Sequence, residues 1–348
     1  MILVYAETAI QLNLIYNIIN MEDSIKKFAE QFSFKPEVSN KENIKPWKNI
    51  IISGMGGSHL ASDIIKKVKP ELDIYIHKDY GVPDINSEKL NESFLIANSY
   101  SGNTEETFSF LKEAHERKLN VGAISTGGKI LEYAKANNIP FIEFPDSGIQ
   151  PRMAVGFSIM ALATILSLKD LLAELSKLST NFNPDVLESK GKEIADLIHG
   201  NVPIIYSSLK NECIAYNWKI KFNETAKIPS FYNVFPELNH NEMTGFDIIP
   251  NTSYLSEKFY FILLSDSDDS PLIRKRMEIL RKLYADKDLN VTFVEILGDS
   301  KLHKIFNSII LADWVAIYTS RLYGTEPEKV PMIEDFKLKL QIEIDRNK

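Results

Sequence analysis

Two alternating patterns of apolar residues run along the first half of this chain. Short runs rich in branched aliphatic residues, at 50–52, 74–76, 94–97, 121–124 and 141–142, read as strands. Between most of them the apolar positions return at mixed spacings of three and four, notably over 105–117 and 129–137, which reads as helix. Strand–helix alternation of this kind predicts a parallel, doubly wound sheet covered on both faces. Residues 7–32 read as a helix ahead of the first strand. A long helix is predicted over 152–177; its apolar run at 154–168 is broken by Ser158, Thr164 and Ser167, so it reads as a buried helix.

The pattern then restarts. Asn181-Phe182-Asn183-Pro184 reads as a linker, with Asp185 placed to cap the short helix after it. Runs at 202–206, 259–264 and 291–294 read as strands, and 210–227, 270–286 and 301–323 as helices. The expected architecture is therefore α/β, with two doubly wound parallel-sheet domains of similar size, 1–180 and 181–348. The halves look like a degenerate repeat, since Val202-Pro203-Ile204-Ile205-Tyr206-Ser207-Ser208 takes the place of residues 50–58.

Two turns in the first half carry candidate chemistry. After the run at 94–97 the chain reads Asn98-Ser99-Tyr100-Ser101-Gly102-Asn103-Thr104-Glu105-Glu106-Thr107. That is a strand, a hydroxyl-rich turn and a helix start. Helix N-termini leave backbone N–H groups unpaired and favour an anion, and hydroxyls add donors without adding charge. The turn is shaped for a phosphate ester, although it lacks the Gly-x4-Gly-Lys-Ser/Thr pattern of a Walker loop. After the run at 50–52, Ser53-Gly54-Met55-Gly56-Gly57-Ser58 forms a second such turn, whose glycines permit close backbone approach. A lone Gly-rich turn is equally well structural; two in one sheet, both with Ser, favour phosphate binding. The second half lacks these glycines, so one phosphate site per chain is expected.

Composition narrows the field. The 348 residues, 44% apolar and 25% charged, suit a globular chain with a sizeable core. A net charge of -7 without a strongly basic block argues against nucleic acid or an anionic membrane as the main partner. The single cysteine, Cys213, excludes an internal disulfide and fits a reducing, cytoplasmic setting. The N-terminus lacks the basic and apolar regions of a signal peptide, and no apolar run approaches the ~20 residues of a membrane span.

Four further residues stand out, each with a plain alternative. Glu224, in Phe222-Asn223-Glu224-Thr225-Ala226-Lys227, suits a general base for a C–H proton or a solvated helix position. His240, in Asn239-His240-Asn241-Glu242, has neighbours able to fix its tautomer, or sits in a polar turn. Arg152 follows Gln150-Pro151 at the start of an apolar helix, where a cation opposes the helix dipole; it suits an oxyanion partner or an ion pair at the domain surface. Lys337 is locally a charged helix face.

Taken in order, these motifs, with Pro331-Met332-Ile333-Glu334-Asp335-Phe336-Lys337 at the end, resemble the bifunctional phosphoglucose/phosphomannose isomerases of the sugar isomerase (SIS) superfamily, from about residue 35 to 340. The resemblance implies two SIS-like αβα sandwiches with N- and C-terminal helices, and a metal-independent aldose–ketose isomerase of hexose 6-phosphates. It implies that Gly57, Ser58, Ser99, Ser101 and Thr104 hold the phosphate. Glu224 would move the proton between C2 and C1, Arg152 would stabilise the enediolate, and His240 and Lys337 would assist ring opening. The His is expected from a neighbouring subunit, hence a homodimer; no cofactor, nucleic acid or membrane is implied. SIS domains also serve amino-sugar phosphates and sugar-phosphate sensing. One departure is His59, where the family usually has Gly or Ala; its bulk is expected to narrow the pocket.

Overall fold

The computed structural model describes residues 21–346. The helix expected over 7–32 lies partly outside them; residues 21–26 are helical and Phe28–Ser33 form a 3-10 segment. The first sheet has β1 (Asn49–Ser53), β2 (Ile74–His77), β3 (Ser93–Asn98), β4 (Asn120–Ser125) and β5 (Phe141–Glu143), in the order β2-β1-β3-β4-β5 and parallel throughout. Helices α1 (Leu60–Val68), α2 (Glu105–Glu116) and α3 (Gly128–Ala136) provide the crossovers after β1, β3 and β4. In β1, Ile50 and Ile52 join one core while Ile51 joins the other, with Phe110 and Leu111 of α2. A strand buried on both faces has no polar side to show, which is why this run lacks alternation.

The predicted long helix is two helices. Pro151–Met153 form a 3-10 turn, α4 spans Val155–Ile165, and α5 spans Lys169–Asn181. Between the helices Ser167 takes φ 58°, and the Leu168 amide bonds back to Ala163 at 2.8 Å. This is a Schellman-type stop, usually built on glycine and here on serine, so composition did not betray it.

The second sheet has β6 (Val202–Ser208), β7 (Phe231–Phe235), β8 (Phe259–Ser265) and β9 (Asn290–Glu295), parallel in the order β7-β6-β8-β9. Its helices are α6 (Glu188–Ile198), α7 (Glu212–Lys221), α8 (Pro271–Ala285) and α9 (Lys301–Tyr323); α10 (Pro331–Arg346) follows. The edge strand β7 was not expected. The helix expected over 210–227 gives way after α7 to a π-helical turn, Phe222–Ala226, which stops at Lys227 with φ 61°.

One core runs through both halves, joining Ile50 and Ile52 to Ile205, Ile262 and Trp314. His59 helps to seal it. Its Nδ1 lies 2.7 Å from Asp63 Oδ2 and its Nε2 3.2 Å from the Tyr216 hydroxyl on α7. With the residue 1% exposed, its bulk fills the contact between halves and does not stand in an open pocket. Among the described residues no helix is long and apolar enough to cross a membrane.

Candidate active site

The C-terminal ends of β1 and β3 place the two turns side by side, as expected for a ligand site on an open parallel sheet. Ser58 Oγ accepts the Tyr100 amide N–H at 3.0 Å, and Asn98 Nδ2 donates to the Ser58 carbonyl at 2.7 Å, so each turn holds the other. Ser99 Oγ lies 3.0 Å from Thr104 Oγ1 and accepts the Gly102 amide at 3.2 Å; Ser101 Oγ accepts the Asn103 amide at 3.3 Å. Thr104 is the N-cap of α2, yet its side chain makes no cap hydrogen bond, which leaves the first-turn amides of this helix without a side-chain cap.

Gly57 has a second task. A Cβ there would lie 2.7 Å from the Arg152 nitrogen and 2.8 Å from the Pro151 carbonyl carbon. Only glycine lets the backbone of Arg152 reach the β1 turn. The Arg152 side chain is buried. Its Nε donates to Thr225 Oγ1 at 2.9 Å, Nη2 donates to the carbonyls of Pro327 at 2.6 Å and Glu328 at 3.1 Å, and Nη1 lies 3.4 Å from Glu224 Oε2. That leaves one Nη1 proton unspent among the described residues. Burial pulls the guanidinium pKa down from the usual arginine value, opposed by the Glu224 and Asp313 charges.

Glu224 sits on the π-helical turn with 24% of its side chain exposed, turned to Arg152 yet reachable from outside. Such turns often occur at functional sites because the extra backbone residue re-aims a side chain. Lys227, at the end of the same turn, hydrogen-bonds the Glu224 carbonyl and lies 3.5 Å from that of Pro327. Burial, then the Arg152 cation, lower its pKa to about 8. Beside this cluster a groove of about 850 Å³ is lined by Asn223, Glu224, Lys227 and Glu326 and by Met332 and Ile333 of α10.

The structure thus brings together Gly57, Ser58, Ser99, Ser101, Thr104, Arg152 and Glu224. It does not bring the other two expected residues into that cluster. His240 ends a 3-10 segment beyond β7, Lys337 lies on α10, both are exposed, and neither side chain has a hydrogen bond or ion pair among the described residues. Sequence reasoning missed Thr225, the 327–328 carbonyls, and the buried Lys221 and Asp313. A backbone carbonyl in a loop leaves no trace in sequence. Asp313 does leave one: a lone carboxylate in the apolar helical run Ile309-Ile310-Leu311-Ala312-Asp313-Trp314-Val315.

The turn after β8, the counterpart of the hydroxyl turn after β3, is filled from within. The Ser208 hydroxyl donates to Asp269 Oδ1 at 2.6 Å, Asn211 Nδ2 lies 3.2 Å from both Asp266 Oδ2 and Asp269 Oδ1, and Lys304 Nζ donates to Asp266 Oδ1 at 2.8 Å. Carboxylates of the chain occupy donors that an anionic ligand would otherwise use.

A family model, that of the bacterial phospho-glucose isomerase C-terminal SIS domain, matches residues 187–340. The chain is similar to the bifunctional phosphoglucose/phosphomannose isomerase of Aquifex aeolicus, 32% identical over 325 residues that span 91% of this chain and 97% of that one. Its counterpart in Thermoplasma volcanium is 34% identical over 319 residues, 89% of this chain and 98% of that one. Among solved structures, the C-terminal domain of glucosamine-fructose-6-phosphate aminotransferase from Francisella tularensis has a TM-score of 0.61 at 15% identity, covering 90% of this chain and 96% of that one, a likeness of fold. With such identity across nearly the full length of both chains, this chain belongs to the family of bifunctional phosphoglucose/phosphomannose isomerases.

Proposed function

We propose that this chain interconverts fructose 6-phosphate with glucose 6-phosphate and mannose 6-phosphate through a cis-enediolate. The observation that carries the reading is the Glu224 carboxylate 3.4 Å from the Arg152 guanidinium, which itself abuts the Gly57 turn. In this reading Gly57, Ser58, Ser99, Ser101 and Thr104 anchor the phosphate. Glu224 takes the proton from C1 of the open-chain ketose and returns it to C2. Arg152 stabilises the negative charge that develops on the oxygen between these steps. The phosphate does not react, so its binding energy serves to orient the reacting carbons.

One planar intermediate serves both products. Returning the proton to one face of C2 gives the glucose epimer and to the other face the mannose epimer. With a single base, the second product requires rotation of the intermediate about its C2–C3 bond. His240 of a neighbouring subunit and Lys337 assist ring opening, so the active unit is a homodimer. The division between the halves is taken at residue 181, where α5 ends. The scheme calls on no metal or organic cofactor.

The test is to incubate the protein with fructose 6-phosphate and EDTA and to quantify glucose 6-phosphate and mannose 6-phosphate separately. Both should form. Glu224→Gln should lower kcat for either by about 10²–10⁴-fold while the sugar phosphate still binds. Turnover retained in that variant would remove Glu224 as the base.

A further inference from the structure

Lys221 is the last residue of α7, one turn before Glu224, and 1% of its side chain is exposed. Its ammonium lies 2.7 Å from Asp313 Oδ1 on α9 and donates to the backbone carbonyl of Arg152 at 2.6 Å. Met153 Sδ lies 3.6 Å away. Asp313 is equally buried, and no other donor reaches its two oxygens among the described residues.

Stability gives a weak reason for this pair. Removing two charges from water costs about what their attraction returns, and apolar side chains of similar volume often serve as well. Phe222 and Trp314, next to the two residues in the chain, belong to the hydrophobic core. What the pair does hold is one particular carbonyl, that of the residue whose guanidinium faces Glu224. Arg152 is gripped at both ends: the side chain by Thr225 and the 327–328 carbonyls, the backbone by Lys221 on one side and Gly57 on the other.

The geometry points to Lys221, held by Asp313, as a positioning residue that sets where the Arg152 guanidinium meets the reacting oxygen. This rests on the role proposed above for Arg152. Lys221 touches no substrate atom in that scheme; it acts through the backbone of Arg152. A misplacement of about 1 Å there costs on the order of a hundredfold in rate.

The test removes both charges together, so that neither is left buried alone. In the Lys221→Met/Asp313→Leu chain the expected result is a Tm close to that of the unchanged protein. KM for fructose 6-phosphate stays within about twofold, and kcat falls about ten- to a hundredfold. Lys221→Gln with Asp313→Asn keeps a donor for the Arg152 carbonyl and should recover most of that kcat. Full kcat in the Met/Leu chain overturns the assignment. So does failure of that chain to fold, because the pair is then a requirement of folding. Arg152→Gln in the otherwise unchanged chain separates the two levels. Turnover retained there removes Arg152 from the chemistry and the positioning role with it. Turnover lost there, with full kcat in the Met/Leu chain, sinks the positioning role alone.

Discussion

Arg152 and Lys227 both act on Glu224, and they differ in what pH does to them. Arg152 stays charged at any working pH. Lys227 does not: burial and the Arg152 charge bring its pKa down to about 8. Below that value the ammonium adds to the positive field around Glu224; above it the field weakens. If the intermediate is an enediolate, kcat should fall on the alkaline side with an apparent pKa near 8, and Lys227→Met should lose that limb while keeping a lower, flatter profile. Persistence of the limb in Lys227→Met would assign it to another group. The stability effect has the opposite sense. The folded-state pKa of about 8 lies below the ordinary 10.5, so between these values the folded chain binds fewer protons than the unfolded one. Stability therefore gains from this group as pH rises through that window, even while activity drops.

At the scale of elements, the central strands of the first sheet, β1, β3 and β4, were legible because each is buried along nearly its whole length and reads as an unbroken apolar run. The strand that escaped, β7, is an edge strand: Phe231 at its start is 56% exposed, and Asn233 interrupts its centre. The helix over 152–177 was misjudged for a related reason. Its apolar positions stay in helical phase through the break, and the stop depends on Ser167 taking a left-handed conformation that serine does not advertise. That residue yields a test. Glycine pays no Cβ penalty at positive φ, so Ser167→Gly should stabilise the chain by about 1 kcal/mol in urea unfolding, with kcat unchanged. A loss of stability would mean that the serine side chain does more at this corner than end a helix. The candidate site divides along the same line. The hydroxyl and glycine turns stand out in the sequence by residue type, and Glu224 through the motifs that carry the family resemblance. The carbonyls that grip Arg152 were not, because every residue carries one.

The whole molecule leaves two expected residues unemployed within one chain. The side chains of His240 and Lys337 are exposed and unbonded among the described residues, and α10 presents Met332, Phe336 and Leu338 to solvent, each more than 60% exposed. Exposed apolar side chains on a helix that lines the groove beside Glu224 are what a second subunit would cover. Contacts in a symmetric pair are reciprocal, so a His240 that reaches the partner's site is matched by the partner's His240 reaching this one. The two arrangements, His240 acting within its own chain or across the interface, are separated by mixing two dead variants. Glu224→Gln lacks the base and His240→Ala lacks the histidine, so each homodimer should be nearly inactive. After subunits exchange at equal amounts, about half of the dimers carry one of each. If His240 serves the neighbouring site, every mixed dimer has one site with both lesions and one with neither, and activity should return to about a quarter of the unmutated level. If His240 serves its own chain, every site in the mixture still carries one lesion and no activity returns.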